Sequence, residues 1–143
     1  MKRRAPAPTT PRSQGCGVFI WPLASFARGL LGLPHGDGRV PDVMIWLGAD
    51  VEHIGERESG PHTVLVEVLS PSTSVTDTGV KTEEYALAGI REHWTLDSQL
   101  GRVNVFALEG RAYRLVGAYA ADQRAPSQEM AGFTLDVGAV LRR

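Results

Sequence analysis

The sequence predicts an α+β domain in which a mixed β-sheet carries a flanking helix and ends in a β-meander. Short apolar runs of strand length recur along the chain, and one stretch of helical length, residues 74–88, interrupts them. After that stretch, two runs flanking Glu109-Gly110-Arg111 give a hairpin signal. Strands, one helix and then more strands are typical of an α+β domain rather than of a doubly wound sheet.

The composition indicates one globular domain. The chain has 143 residues, of which 43% are hydrophobic and 22% charged. Its net charge of −1 provides no general attraction for nucleic acid, so any contact with DNA has to be local. The single cysteine, Cys16, excludes an internal disulfide, and neither a membrane span nor a secretory signal is evident. We therefore expect a cytoplasmic protein, with a disordered Pro-rich segment at 1–16 and one domain over 17–143.

Three strands are predicted in the N-terminal half, at residues 18–23, 43–47 and 62–69. Residues 24–33 are ambiguous, because Phe26, Leu30 and Leu33 have helical spacing while two glycines between them weaken a helix. Ser70-Pro71 ends the third strand, since proline has no N–H to donate to a β-ladder.

The helix over 74–88 has signals at both ends. Ser74 and Asp77 have the spacing of a capping box, and Gly89 suits the C-terminal cap. Its apolar residues lie toward one side, and a second face carries polar groups at four-residue spacing: Asp77, Lys81 and Tyr85. The elements predicted to follow are a strand at 90–96, the hairpin of 102–108 and 112–119, a short strand at 133–137 and a helical turn that reaches residue 141.

Glu67 is the residue that departs most from the pattern. It interrupts the run Val-Leu-Val-Glu-Val-Leu, which predicts a strand buried on both faces. A carboxylate in such a strand is costly unless it is paired or binds a metal. Glu67 is therefore the first candidate for a chemical site, with a buried ion pair as the structural alternative.

Two other residues could converge on Glu67. If strands 43–47 and 62–69 are neighbours, Asp42 faces Glu67 across the pair, and Lys81 lies on the helix that follows. Two carboxylates that face each other across neighbouring strands repel unless a cation lies between them. Carboxylate oxygens are ligands that suit Mg²⁺ or Mn²⁺. Such an ion stabilises charge on a phosphodiester, and Lys81 could orient the attacking water. Alternatively, Asp42 is a turn residue, Lys81 a solvated one and Tyr85 a packing residue.

The motifs resemble those of a known family. Pro41-Asp42, the block Val-Glu-Val-Leu-Ser-Pro-Ser-Thr at 66–73, the helix with Lys81, and the segment at 85–94 are similar to the Uma2-type restriction endonucleases. That family belongs to the PD-(D/E)xK nuclease superfamily, and the resemblance covers roughly residues 17–141. It implies a restriction-endonuclease-like core that cleaves DNA with Mg²⁺ or Mn²⁺.

The resemblance also implies roles for particular residues. Asp42 and Glu67 would ligate the metal, with help from the backbone carbonyl of Val68, and Lys81 would act with them in catalysis. Leu69 stands where the superfamily usually has its lysine, which in this family comes from the following helix. The arginines at 102, 111 and 114 are either a small phosphate-facing patch or solvated strand residues.

One departure from the family pattern favours a rival interpretation. Members usually carry an acidic hairpin and a long helix before the strand at 18–23, and here only the Pro-rich segment precedes it. We therefore expect a bare sheet face, which a homodimer could cover. On this view the chain is a truncated, catalytically inactive remnant or binding module of the same fold. A third interpretation is a purely structural β-rich interaction protein.

Overall fold

A seven-stranded mixed sheet forms the centre of the protein, with its strands in sequence order. The computed structural model describes residues 19–21, 24–27, 41–47, 64–72 and 75–142. The strands of the sheet are β1 (Phe19–Trp21), β2 (Ala24–Ala27), β3 (Val43–Leu47), β4 (Val64–Leu69), β5 (Glu92–Asp97), β6 (Arg102–Glu109) and β7 (Ala112–Ala120). Every neighbouring pair is antiparallel except β4 and β5, which are parallel. The predicted fold class, a mixed sheet with a flanking helix, is confirmed.

The helix α1 (Val75–Leu87) makes the crossover that the parallel pair requires. It ends where Gly89 adopts a positive φ of 79°, with the Gly89 N–H bonded to the Ala86 carbonyl and the Ile90 N–H bonded to the Tyr85 carbonyl. These two bonds form a Schellman motif, which only a residue tolerant of positive φ completes without strain. The predicted C-cap is therefore confirmed. Ser74 and the side chain of Asp77, the predicted N-terminal cap, lie outside the described residues.

One face of the sheet packs against α1. Tyr85 and Ile90 are fully buried there against Met44, Trp46 and Leu65. The prediction that Val80, Ala86 and Leu87 form the buried side of the helix is mostly wrong. Ala86 is buried, but Val80 and Leu87 are 45% and 43% exposed. The face that carries Lys81 and Tyr85 is the one turned toward the sheet. A polar helix face thus meets the sheet beside the predicted site.

The opposite face of the sheet is covered by the C-terminal segment. Two short strands, β8 (Arg124–Pro126) and β9 (Thr134–Asp136), pair with each other, and α2 (Val137–Leu141) follows. The expectation of a bare face is wrong over the strands that this segment covers. The buried cluster beneath it spans four strands of the sheet and comprises Ile45, Val64, Trp94, Val103, Val105, Ala125 and Val137.

Glu92 anchors the C-terminal segment to β5. The residue is fully buried, and its carboxylate accepts hydrogen bonds from Trp94 Nε1 at 2.5 Å and from Ser127 Oγ at 2.7 Å. The backbone N–H groups of Gln128 and Glu129 donate to its second oxygen at 2.6 and 3.1 Å. Four donors compensate the loss of water that burial imposes on the charge.

The predicted boundaries differ from the structure mainly in two segments. Residues 24–27 form β2 rather than the start of a helix, because they pair with both β1 and β3. The strand β8 was not predicted, since its three residues include a proline and have no clear alternation. In the described part of the chain, neither α1 nor α2 is long and apolar enough to cross a membrane.

Candidate functional site

The register of β3 and β4 brings Asp42 and Glu67 together. Val43 pairs with Val66, so the next step along the ladder places Asp42 opposite Glu67 on the same face. Asp42 Oδ2 accepts a hydrogen bond from the Val68 backbone N–H at 2.8 Å. That bond fixes the carboxylate of Asp42 to the strand that carries Glu67.

Tyr85 connects the helix to Glu67. Its hydroxyl donates to Glu67 Oε1 at 2.5 Å, while its ring is fully buried in the core between α1 and the sheet. The tyrosine is therefore the packing residue that the sequence favoured and a direct partner of the candidate carboxylate as well. A rigid, buried ring positions the hydroxyl and, through it, the carboxylate.

The surroundings of Glu67 raise the pKa of its carboxyl group above the usual value. Burial is the largest cause, since loss of water disfavours the charged form. The hydrogen bond from Tyr85 and the positive charge of Lys81 act against burial, whereas the negative charge of Asp42 adds to it. The two carboxyl groups thus lie close enough to repel each other. Such a pair is stable when a proton or a cation lies between its members.

Lys81 lies one helical turn before Tyr85 and is therefore on the same side of α1. Its charge acts on Glu67, and its side chain lines a small cavity beside that carboxylate. The structure therefore brings together the three residues predicted as catalytic: Asp42, Glu67 and Lys81.

Val68 and the second half of β4 differ from the prediction. The strand was expected to be buried on both faces, but only Val64 and Leu65 are buried, and Val68 is 51% exposed. Val68 points to the face of the sheet opposite Glu67, because successive residues of a strand alternate between faces, and Glu67 itself is half-buried.

His93 and Thr95 also belong to the site, and neither was predicted as a site residue. Both are buried on β5, and Thr95 lies directly opposite Glu67 in the parallel ladder. Together with Glu67, Lys81 and Tyr85 they line a cavity of about 30 Å³. Residues two apart in a strand share a face, and this periodicity could have placed them beside Glu67 once the strand order was known.

A larger cleft of about 650 Å³ adjoins the site and shares Leu69 and Thr78 with the small cavity. It lies between α1, the end of β5 and the hairpin of β6 and β7. Phe106 and Tyr113 line it, with Arg111 at the hairpin turn. Arg114 forms an ion pair with Glu109, whereas no carboxylate among the described residues pairs with Arg111.

The donor set suits a hard divalent ion that keeps waters of its own. No group of three His, Cys, Asp or Glu side chains suitable for a metal occurs within the described ranges. Two carboxylates are available, and one oxygen of each already accepts a hydrogen bond from the protein. Mg²⁺ is often held by one or two carboxylates with the remaining positions filled by water or phosphate oxygens. The residues therefore fit Mg²⁺ or Mn²⁺ better than a metal that needs several His or Cys ligands.

Comparisons with known proteins identify a family and a similar fold. The model of the Uma2 family, described as "Putative restriction endonuclease", matches residues 22–138. A crystal structure of a putative nuclease belonging to DUF820 from Anabaena variabilis has a similar fold, with a TM-score of 0.59. That match covers 84% of this chain and 70% of the other at 18% identity, a level that shows the fold alone. No curated protein matches the chain.

Proposed function

The chain belongs to the Uma2 family, and on that premise we propose that it is a metal-dependent endonuclease that hydrolyses phosphodiester bonds in DNA. The observation that carries the proposal is the pairing of Asp42 with Glu67. Two carboxyl groups that face each other across neighbouring strands, beside a lysine, form an arrangement that a bound cation stabilises.

Asp42, Glu67 and the backbone carbonyl of Val68 would hold the ion. A bound Mg²⁺ or Mn²⁺ supplies Lewis-acid chemistry, because its charge offsets the negative charge that develops on a phosphodiester. The hydrogen bonds from Val68 and Tyr85 hold the two carboxylates in place before the ion binds, so little reorganisation is needed.

Lys81 has a role that complements the carboxylates. Its positive charge acts on Glu67 from the helix side and partly offsets the effect of burial on the pKa of that carboxyl group. In the proposed reaction the ammonium group of Lys81 orients the attacking water or neutralises charge on the scissile phosphate. Lys81→Met would remove the charge and keep most of the apolar stem, so we expect slow cleavage with the fold intact.

The adjoining cleft supports a nucleic acid as substrate. Its volume lies within the range of ligand sites, and its lining combines aromatic rings, threonine hydroxyls and one arginine. Glu83 and Asp97 also line it and would repel phosphates, which accords with a chain that has no general basic field. DNA contact is therefore local to the site.

Cleavage of a supercoiled plasmid tests the proposal. Wild type, Glu67→Gln and Asp42→Asn are compared in Mg²⁺, in Mn²⁺ and in EDTA, with Asp122→Asn as the matched control because Asp122 is exposed in the turn after β7. We expect nicking by wild type and by the control only when metal is present. Loss of a residue that only supports a metal ligand costs up to about a hundredfold in activity. Because Asp42 and Glu67 would be ligands themselves, their variants should lose at least that much in cleavage rate.

Two results would contradict the proposal in different ways. If wild type binds Mn²⁺ through Asp42 and Glu67 but does not cut, the chain is a binding module of the same fold. If wild type and Glu67→Gln cut equally, the catalytic assignment of the carboxylates is wrong.

A further inference from the structure

His93 is a buried polar side chain with unmet hydrogen-bonding capacity. It is 2% exposed, and neither ring nitrogen has a hydrogen-bond partner among the described residues. Its ring lies among three aromatic rings, with centroid distances of 5.5 Å to Tyr85, 5.8 Å to Phe106 and 5.6 Å to Tyr113. Buried polar groups of this kind are normally satisfied by protein or by an enclosed water molecule.

The small cavity beside Glu67 is where such a partner would fit. His93 lines it together with Glu67, Lys81, Tyr85 and Thr95, and its volume of about 30 Å³ is sufficient for one water. Thr95 Oγ1 accepts a hydrogen bond from Asn104 Nδ2 at 3.0 Å, so its hydroxyl proton points elsewhere. The cavity therefore offers a water both donors and acceptors, unlike an apolar void that stays dry.

We propose that His93 is a positioning residue that holds the Glu67 carboxylate through one water molecule enclosed in this cavity. The water donates one proton to a ring nitrogen of His93 and the other to the carboxylate, and it accepts a hydrogen bond from Thr95 or Lys81. Tyr85 already binds Oε1 of Glu67, so the water supplies a second point of attachment.

The terminal torsion angle of a glutamate side chain has a broad distribution, and one hydrogen bond restricts it little. Two hydrogen bonds hold the carboxylate in one orientation. The orientation of Glu67 then matches the position of Asp42 without rearrangement when a cation binds. This inference deepens the proposed function and rests on it for its metal-binding readout. Its structural readout, the water and the orientation of Glu67, does not depend on activity.

Crystal structures of the metal-free wild type, His93→Phe and His93→Asn form the direct test. Phenylalanine keeps the ring contacts and removes both nitrogens, whereas asparagine restores a polar atom near the backbone side of the ring. We expect a water within hydrogen-bonding distance of both His93 and Glu67 in wild type. It should be lost in His93→Phe, where the carboxylate of Glu67 rotates, and return in His93→Asn.

Titration with Mn²⁺, followed by electron paramagnetic resonance, provides the functional readout. We expect the Kd to rise about tenfold in His93→Phe, as loss of a metal's outer partners generally produces. His93→Asn should recover most of the affinity, which a purely structural role would not require. Melting temperatures of all three proteins separate these changes from loss of fold.

The outcomes separate this inference from the proposed function. An empty cavity in wild type, or an unmoved Glu67 with unchanged Mn²⁺ affinity in His93→Phe, overturns the role of His93. If wild type binds no Mn²⁺, the proposed function fails, and the crystallographic water and the orientation of Glu67 alone decide the role of His93. If His93→Phe does not fold, the wild-type structure still decides whether the water is present and touches both groups.

Discussion

Two glutamates on adjacent strands, one on each face of the sheet, have opposite surroundings. Glu92 on β5 is fully buried, and four hydrogen-bond donors from the chain surround its carboxylate. Glu67 on β4 is half-buried and has a second carboxyl group beside it, and within the described part of the chain it accepts one hydrogen bond, from the neutral hydroxyl of Tyr85. The deeper charge is the better satisfied of the two.

The difference distinguishes a structural carboxylate from a candidate functional one. The contacts of Glu92 fasten residues 127–129 to the sheet and leave little for a ligand to add. Around Glu67 the described residues provide fewer hydrogen-bond donors than around Glu92. A bound cation would therefore stabilise the carboxylate of Glu67 more. Removing each carboxylate should therefore affect a different property of the molecule.

The largest effect on stability is expected from Glu92→Gln. An amide NH₂ would then face donors that now point at a carboxylate oxygen, and we expect a loss of about 3 kcal/mol in the free energy of unfolding. Urea unfolding measures it, with Glu67→Gln as the matched substitution. Equal destabilisation by the two variants would abolish the distinction between the two sites. Mn²⁺ binding by the folded Glu92→Gln protein should remain near the wild-type value.

The Glu67 side of the sheet should also contribute a pH dependence to the free energy of unfolding. Burial lowers the pKa of His93 to about 4, whereas the unfolded chain has a histidine near 6.5. Between these values the unfolded state binds the additional proton, so stability is present above pH 6.5 and is lost as pH falls toward 4. The difference corresponds to about 3 kcal/mol as an upper estimate.

Metal-free unfolding of wild type and His93→Phe at several pH values measures this contribution. The raised pKa of Glu67 has the opposite sign, because the folded state then holds the additional proton and loses that stability as pH rises through the folded pKa. Both proteins are therefore also compared in the Glu67→Gln background, which removes this slope. A difference that does not change between pH 4 and 6.5 would show that His93 titrates normally in the folded state.

A smaller change, Tyr85→Phe, removes the hydroxyl that donates to Glu67. The ring remains packed, so we expect a stability loss of about 1 kcal/mol, the net value of one hydrogen bond. Because that bond lowers the pKa of Glu67, its loss should raise the pKa further and weaken Mn²⁺ binding at neutral pH by up to about tenfold. Tyr113→Phe is the matched control, since its hydroxyl binds the Ile90 carbonyl and not a candidate ligand. The same loss of Mn²⁺ affinity in both variants would point to a general packing effect.

The sequence was sufficient to predict the part of this comparison that depends on pattern. Alternation and turn residues predicted the strands other than β2 and β8, and the Schellman glycine marked the end of α1 correctly. A charge within an aliphatic strand singled out Glu67, and a simple assumption about neighbouring strands placed Asp42 beside it. These features are local, or need only one pairing between strands.

The remainder depends on contacts between distant segments. Three of the four donors to Glu92 come from a loop about 36 residues later, and no spacing rule connects them. The burial of His93 depends on rings contributed by α1, β6 and β7 together. The exposure of Val68 depends on which chain segments cover the end of β4. Tertiary packing decides all three.

The smallest effect is expected from Arg111→Ala, which tests whether the cleft between α1 and the hairpin binds an anion. Arg111 lines the cleft without a carboxylate partner among the described residues, whereas Arg114 on the same hairpin forms an ion pair with Glu109. If the cleft binds DNA, Arg111→Ala should weaken binding a few-fold and reduce the slope of log affinity against log salt by about 1. Arg114→Ala should change neither, because Glu109 already offsets its charge. Fluorescence anisotropy with a labelled duplex in Ca²⁺ at several salt concentrations measures both quantities. Equal effects of the two substitutions would mean that DNA contacts the outer face of the hairpin. The cleft beside Glu67 would then not be the site of substrate binding.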